Sequence, residues 1–283
     1  MKRTDHIHPL TLVVYYVTVL FFICFEMHPV TAVTGLCCVL CSSKWMETDN
    51  IFGKIRQLCF IFIVAALLNP LFYHNGATPL FYINGKPITA EASIYGLVMG
   101  ITVLSVLFLC MQFQQIFTSE KILYLVGKIS PKSALILSMS LRMIPMYQMQ
   151  FRKIKEVQKS LGAYGEGTLF DICKENLEVF SATITWALEH SMETADAMRA
   201  RGYGTGKRTY FMIFRMKKMD VFLCILQGIM VLGILLCKAR GWMQVYYYPY
   251  FEIKASILEQ IAVNAFFAGM VLAVPFVIFI KYR

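Results

Sequence analysis

Long apolar runs alternate with short polar segments along most of the chain. A helix that crosses a membrane needs about 20 mainly apolar residues, and the pattern predicts such helices in six places. Five runs are good candidates and a sixth, Pro29–Ser42, is short; the five are Pro9–Met27, Leu58–Tyr73, Ser93–Phe113, Met219–Cys237 and Ser256–Ile280. The pattern therefore predicts an all-α polytopic membrane protein.

Composition supports the same class. Hydrophobic residues make up 58% of the chain and charged residues 16%, whereas soluble domains average about 45–50% and about 25%. A cytosolic enzyme, a disordered regulator and a secreted disulfide scaffold are excluded on this ground. The nine cysteines lie mostly in or beside apolar runs, and Cys37-Cys38-x-x-Cys41 has no second Cys/His pair at ligand spacing. We therefore expect buried thiols rather than a metal site.

Lysine and arginine set the expected orientation, because short loops rich in these residues stay cytoplasmic. With the amino terminus inside, 23 of the 27 Lys/Arg residues fall in inside segments. Six spans with both termini in the cytoplasm fit this bias. The predicted organisation is four spans in 1–114 with an extracellular hairpin at 73–92, a cytoplasmic helical module in 115–218, and two spans in 219–283.

The first long cytoplasmic helix is predicted to open at Ser130-Pro131, a hydroxyl N-cap followed by proline at the first helical position. It should end at about Leu161, before Gly162, and Pro145 should kink it. Four methionines recur on it at helical spacing: Met139, Met143, Met146 and Met149. They are consistent with a docking face or with ordinary core packing, of which packing is the favoured interpretation.

The second long helix is predicted to open at Thr168, with Asp171 three residues later as in a capping box, and to end at Gly202. Its apolar residues form one amphipathic stripe, made of Leu177, Phe180, Ile184, Leu188, Met192 and Ala195. A short glycine-bearing loop joins the two helices. We therefore expect an αα-hairpin along the inner membrane surface.

The end of the second helix holds two arginines of different character. Arg199 has Asp196 three residues before it and can be satisfied locally. Arg201 has Ala197 and Met198 at the corresponding positions and no carboxylate on its turn. An unpaired guanidinium there suits bidentate contact with a carboxylate of another chain. From the residues alone, an equal alternative is that Arg201 only complements the negative helix end.

Other candidate sites are weak. Gly202-Tyr-Gly-Thr-Gly-Lys-Arg208 lacks the spacing of a phosphate-binding loop, and Glu189-His190-x-x-Glu193 has no second metal-ligating cluster. The basic cluster from Lys207 to Lys218 is interpreted as a surface for anionic headgroups of the lipid bilayer. No catalytic residue, metal, cofactor or nucleic-acid partner is predicted.

The segment Asp196-Ala-Met-Arg-Ala-Arg-Gly-Tyr203 resembles the signature of the transmembrane (T) component of energy-coupling factor transporters, the EcfT/CbiQ family. The resemblance extends to His28-Pro29, to Asn69-Pro-Leu-Phe72 with Ile83-Asn-Gly85, and to Arg142-Met-Ile-Pro145. It implies a non-catalytic plasma-membrane subunit. Such a subunit couples two cytoplasmic ABC-type ATPases to a small membrane-embedded substrate-binding S component for vitamin or metal-ion uptake.

The resemblance also implies where the ATPases dock, because each of the family's two long coupling helices ends in an x-Arg-x motif. The second motif corresponds to Ala200-Arg201-Gly202, and the first to Ser160-Leu161-Gly162, in which leucine replaces the arginine. Two substitutes for the arginine are open: Lys159, which lacks the bidentate fork, and an apolar contact through Leu161. The expected supporting residues are Asp196, Arg199, Arg142 and Pro145.

Two other functions remain as alternatives. A self-sufficient secondary transporter would need polar residues at mid-membrane and usually an internal repeat with broken helices, and we expect neither. A membrane enzyme acting on a lipid or isoprenoid substrate would gather acidic residues to hold Mg²⁺, whereas those of this chain are scattered along helices.

Overall fold

The computed structural model describes residues 7–46, 51–73, 76–83, 86–162, 169–203, 205, 214, 216–247, 252–253 and 256–281. Within these ranges the chain forms nine α-helices and two short pairs of antiparallel strands. The helices are α1 Pro9–Phe25, α2 Pro29–Trp45, α3 Ile51–Phe72, α4 Ala90–Ile116, α5 Ser119–Ile129, α6 Pro131–Ser160, α7 Leu169–Ala200, α8 Lys218–Ala239 and α9 Ile257–Lys281. The strands are β1 Pro79–Ile83, β2 Lys86–Thr89, β3 Val245–Tyr246 and β4 Glu252–Ile253. The predicted all-α class is confirmed.

The apolar helices have the character of membrane spans. Among the described residues, Ala90–Ile116, Lys218–Ala239 and Ile257–Ile280 are long and apolar enough to cross a membrane, and Pro9–Phe25 and Leu58–Phe72 are shorter apolar helices. The short predicted run Pro29–Ser42 is part of a longer helix, α2. The helix extends to Trp45, and the hydroxyls of Ser42 and Ser43 donate to the carbonyls of Val39 and Leu40 of the same helix, at 2.7 and 2.6 Å.

Contacts group the chain into two compact units, Met1–Lys121 with Phe214–Arg283, and Ile122–Ile213. In the first unit, α3 packs on α4, α2 packs on α9 and α4, and α1 contacts α4, α8 and α9. The largest fully buried side chains of this unit include Tyr15, Leu12, Met46 and Met270. The second unit is built mainly from α6 and α7, which pack on each other.

Two histidine–proline pairs start the first two helices. The Nδ1 atoms of His8 and His28 accept hydrogen bonds from the backbone N–H groups of Leu10 and Val30, at 3.2 and 3.3 Å. Each histidine therefore acts as an N-cap, with proline at the next position. Burial lowers the pKa of His28, which favours the neutral ring that this cap requires. The His28-Pro29 pair is thus explained by helix capping.

Two strand pairs connect apolar helices of the first unit. β1 pairs with β2 so that Tyr82 lies opposite Pro87, and the register shifts between Pro79 and Phe81. Residues 84 and 85, between the two strands of the predicted hairpin, lie outside the described residues. Thr89 ends β2 and also caps α4, since its hydroxyl accepts a hydrogen bond from the N–H of Ala92 at 3.4 Å.

The expectation of buried thiols is wrong for most cysteines. Only Cys38 and Cys237 are buried, Cys110 and Cys224 are intermediate, and the exposed ones are Cys24, Cys37, Cys41, Cys59 and Cys173. The outer surface of an apolar helix bundle is itself apolar, so a thiol that behaves as a small hydrophobe is as compatible with the bundle's surface as with its core.

The expectation that the spans lack polar residues at mid-membrane is also wrong. Near the middle of α8, the amide of Gln227 donates to the hydroxyl of Thr18 in α1 at 2.8 Å. Nearer the ends of their helices, Gln112 of α4 donates to the hydroxyl of Ser42 in α2 at 3.0 Å. Single polar residues barely change the mean hydropathy of a run, and cross-helix partners reduce the free-energy cost of burying them.

The helix α5 was missed by the sequence analysis. It has only 11 residues, carries Glu120 in its first turn and Lys128 in its last, and offers few repeats of the helical period. Lys121 is buried and donates to the carbonyl of Ile116 at 3.0 Å. A charged residue in that position hides the amphipathic pattern from a reading of hydropathy alone.

The packing of α3 on α4 depends on a glycine. A Cβ atom added to Gly96 would lie 2.6 Å from the carbonyl oxygen of Ala66 and 3.1 Å from Cδ of Pro70. Small residues allow helix backbones to approach this closely. Gly96→Ala is therefore expected to destabilise the protein by about 1–3 kcal/mol, measured as a lower thermal unfolding midpoint in detergent.

Gly228 of α8 provides the matched control for this substitution. A Cβ atom there meets nothing within 4 Å, and alanine is favoured over glycine inside a helix by about 1 kcal/mol. Gly228→Ala should leave the midpoint unchanged or raise it. Equal midpoints for the two variants would contradict the close approach of α3 and α4.

Candidate functional site

The first long helix, α6, has the predicted ends. The hydroxyl of Ser130 accepts a hydrogen bond from the N–H of Ser133 at 3.4 Å, and Pro131 follows it as the first helical residue. The helix ends at Ser160, with Leu161 as its C-cap. It continues through Pro145 without a break, while the kink there stays a prediction.

The second long helix, α7, ends in a Schellman motif. The N–H of Gly202 donates to the carbonyl of Arg199 at 2.9 Å, and the N–H of Tyr203 donates to that of Met198 at 3.0 Å. These two bonds satisfy carbonyls that the helix leaves unpaired. Gly202 has φ of 73°, which is why glycine is required after the C-cap residue Arg201. The predicted start at Thr168 lies outside the described residues.

The ends of α6 and α7 share one backbone geometry but present different side chains. At the end of α6, the N–H of Gly162 donates to the carbonyl of Lys159 at 3.1 Å, and Gly162 has φ of 77°. Leu161 therefore holds the same C-cap position on α6 that Arg201 holds on α7. The Leu161 side chain is 79% exposed, and Arg201 is exposed as well. The flanking residues Lys159, Ser160 and Ala200 are also exposed.

The two helices pack antiparallel as a hairpin. The Lys155 ammonium group donates to Oδ1 of Asn176 at 3.0 Å, and further along the seam the rings of Tyr147 and Trp186 meet edge to face at 5.9 Å. Val179 is fully buried in this unit. The beginning of α6 therefore lies beside the end of α7, and Arg142 and Arg201 come to the same end of the hairpin.

The predicted apolar stripe of α7 does not form this seam. The side chains of Leu177, Phe180, Ile184, Leu188 and Met192 are between 44% and 65% exposed. The seam is made instead by residues such as Val179, Thr183 and Trp186, about a quarter turn or more away. A helix with an apolar stripe left over after packing has a second face that an apolar surrounding can cover.

An open groove of about 540 Å³ lies between α6 and α7. Five methionines line it, namely Met139, Met143, Met146, Met149 and Met198. The polar lining includes Arg142, Arg201, His190 and Tyr203. Three of the four methionines of the predicted stripe are half-buried and Met149 is 59% exposed, so the stripe both packs and borders open space.

The two arginines at the end of α7 differ in pairing, as the sequence predicted. Arg199 lies 3.7 Å from the carboxylate of Asp196, and both side chains are exposed. A pair this exposed contributes little to stability, about 0–1 kcal/mol. Arg201 forms no ion pair or side-chain hydrogen bond with the described residues. The structure therefore leaves the guanidinium of Arg201 available at the helix end.

Other residues considered in the sequence do not form a second site. His190 stacks on Trp186 at 5.2 Å, and its Nδ1 lies 3.7 Å from the carboxylate of Glu193. Across the part of the chain that the structure describes, His, Cys, Asp and Glu residues form no group of three that could hold a metal ion. Lys207 and Arg208 lie outside the described residues, and Lys217 is the N-cap of α8.

The groove itself was missed by the sequence analysis. Arg142 was expected as a supporting residue of the ATPase contacts, but neither it nor His190 and Tyr203 was connected with a groove. The spacing of Met139, Arg142, Met146 and Met149 places them on one side of α6, a signal that was available. Which residues of α7 face that side depends on the register of the hairpin, which helical periodicity does not provide.

Comparison with known proteins places this chain in a transporter family. The sequence model of the family CbiQ, described as cobalt transport protein, matches residues 3–211. The chain belongs to this family, that of the transmembrane T components of energy-coupling factor transporters. Together with its apolar helices, this membership makes it a multi-pass membrane protein.

Two relatives illustrate the similarity. The energy-coupling factor transporter transmembrane protein EcfT of Listeria innocua serovar 6a is 31% identical over 203 residues, which cover 67% of this chain and 76% of the relative. The energy-coupling factor transporter transmembrane protein EcfT 1 of Listeria monocytogenes serotype 1/2a is 32% identical over 107 residues. That alignment covers 37% of this chain and 40% of the relative's length.

Proposed function

We propose that this protein is the coupling scaffold of an ATP-driven importer for a vitamin or a metal ion. Two cytoplasmic ABC-type ATPases would bind its hairpin, and a small membrane-embedded S component would capture the substrate. The observation that carries the proposal is the unpaired, exposed Arg201 at the capped end of α7. A guanidinium held in that way can form a bidentate contact with a carboxylate of a partner.

The chain itself does no chemistry in this proposal. ATP binding and hydrolysis in the partners would move the ends of α6 and α7, and the hairpin would transmit that movement to the S component. A hairpin suits this role because its seam of packed side chains makes the two helices move together. The exposed apolar stripe of α7 gives the S component an apolar face to contact.

The two ATPase contacts are expected to differ in chemistry. Arg201 and Leu161 hold equivalent cap positions, but one offers a charged fork and the other an apolar side chain. The corresponding sites on the two ATPases should therefore be acidic for α7 and apolar for α6. The plasma membrane is the proposed location, with both termini cytoplasmic because of the distribution of Lys and Arg.

Purification of the tagged chain from native membranes in mild detergent tests the proposal. We expect two ATPase subunits and one small hydrophobic protein to copurify, all identified by mass spectrometry. The identity of the small protein would point to the substrate. If the chain purifies alone and still transports a solute without ATP, the scaffold function is wrong and a self-sufficient transporter takes its place.

A further inference from the structure

The groove between α6 and α7 carries positive charge that the described part of the chain does not neutralise. Arg142 and Arg201 both line it, and neither forms an ion pair or a side-chain hydrogen bond with a described residue. Among the described residues, no Asp or Glu lines the groove. Arg199, two residues from Arg201, shows the contrast because Asp196 pairs with it. Two guanidiniums on one groove create a positive potential that is complementary to a carboxylate.

The floor of the groove is apolar and adaptable. It consists mainly of methionine side chains, which are flexible and polarisable and which fit partners of irregular shape. The volume of about 540 Å³ lies within the range of about 300–1,000 Å³ that is typical of ligand pockets. Such a groove has room for an apolar side chain of a partner beside the carboxylate that the arginines would bind.

The second cavity of the hairpin has a neutral lining among the described residues. It has a volume of about 500 Å³ and lies across the seam from the groove, with which it shares Met139, Met143, Thr194 and Met198. Its remaining described lining includes Ile136 and Ile144 and no charged residue. Because burying a charge in an apolar medium is costly, the neutral side is the one that lipid or an apolar membrane partner can cover. The charged side then suits an acidic partner that comes from water.

We propose that the groove binds a segment of an ATPase partner in which an aspartate or glutamate lies next to a large apolar side chain. Arg142 and Arg201 bind the carboxylate together, and the apolar side chain occupies the methionine floor. This inference rests on the proposed coupling function and assigns to Arg142 a direct contact beside that of Arg201. The partner segment thus occupies a groove of this chain, in addition to contacting the end of α7.

Site-specific cross-linking tests the occupant. A benzoylphenylalanine that replaces Met146 lies in the groove with the two arginines. One that replaces Ile144 lies in the second, neutral cavity. On irradiation of native membranes, the probe at position 146 should cross-link to an ATPase peptide that contains a carboxylate beside an apolar residue. The probe at position 144 should not label that peptide.

The outcomes separate this inference from the function on which it rests. If the ATPases copurify but the probe at Met146 labels lipid, the S component or a second copy of this chain, the groove assignment is wrong and the coupling function stands. If no ATPase copurifies with the unmodified chain, the coupling function is wrong, and the groove assignment is then wrong as well because it rests on that function.

Substitution of Arg142 tests its role in the contact. Arg142→Ala should weaken retention of the ATPases on the tagged chain by about tenfold or more, since the partner's carboxylate loses a buried pair. Arg152→Ala removes the same charge from an exposed position of α6 outside the groove and should change retention less than about twofold. Equal retention by the two variants would overturn the assignment of Arg142.

A merely structural role for Arg142 predicts a different result for two further variants. Arg142→Lys keeps the charge but lacks the bidentate fork, so retention should fall between that of Arg142→Ala and that of the unmodified chain. Arg142→Glu should lose retention and regain it when the cross-linked carboxylate of the ATPase is changed to lysine. Failure of this charge exchange to restore retention would overturn the direct contact.

Discussion

Arg201→Glu is expected to abolish substrate uptake and to release the ATPase bound at the end of α7, while the chain remains inserted in the membrane. The change replaces an unpaired guanidinium by a carboxylate that repels the acidic site proposed on the partner. Loss of one member of a desolvated charge pair costs about 2–5 kcal/mol of binding free energy, or roughly 30-fold or more in the dissociation constant. Uptake by whole cells and ATPase retention in detergent measure the two effects.

The control for this variant is Arg152→Glu. It makes the same change of charge on an exposed residue of α6 that does not line the groove, and it should keep both uptake and ATPase retention. Because the Arg201 side chain is exposed and makes no side-chain hydrogen bond with described residues, neither variant should alter the yield of inserted protein. Normal uptake by Arg201→Glu would overturn the coupling function.

Leu161→Asp is expected to weaken the second ATPase contact, the one at the end of α6. Leucine is 79% exposed there, and full burial of such a side chain in an interface is favourable by about 1.5–3 kcal/mol. A carboxylate in its place loses this favourable free energy of burial and adds a buried charge. We expect a reduction of ATPase retention of about tenfold or more, with Leu161→Met close to the unmodified chain. The measurement is quantitative copurification.

Leu161→Arg distinguishes between an apolar and an acidic site on the ATPase that binds the end of α6. If the ATPase accepts α6 through an apolar contact, arginine buries an unpaired charge and retention should fall. Stronger retention would show that the site on α6 is acidic like the proposed site on α7, which contradicts the apolar contact. Ile129→Asp, at an exposed apolar position at the end of α5, is the control and should retain both ATPases.

Local signals along the chain accounted for most of the helical organisation. Ser130, Pro131 and Gly162 marked the ends of α6, because a hydroxyl N-cap, a proline at the first position and a glycine with positive φ each satisfy a local backbone requirement. Gly202 marked the end of α7 in the same way. The local pairing of Arg199 with Asp196, and the absence of such a partner for Arg201, also followed from spacing on one helix.

Predictions about burial and tertiary partners were less reliable. The cysteines were expected inside and are mostly exposed, because apolar surface and apolar core have similar composition in a chain of this class. The pair formed by Gln227 and Thr18 joins residues far apart in sequence, and nothing local identifies such partners. The short helix α5 lacked enough repeats of its period to be recognised.

By itself, the sequence determined the all-α membrane class, both ends of α6, the carboxyl end of α7 and the lack of a carboxylate on the turn of Arg201, since each depends on composition or on residues within one or two turns. Only the tertiary structure decided that Val179, Thr183 and Trp186, and not the stripe from Leu177 to Met192, face α6. It also decided that Arg142 and Arg201 line one groove. Both results follow from the register of two antiparallel helices, which is set by side-chain packing across the seam and not by periodicity within either helix.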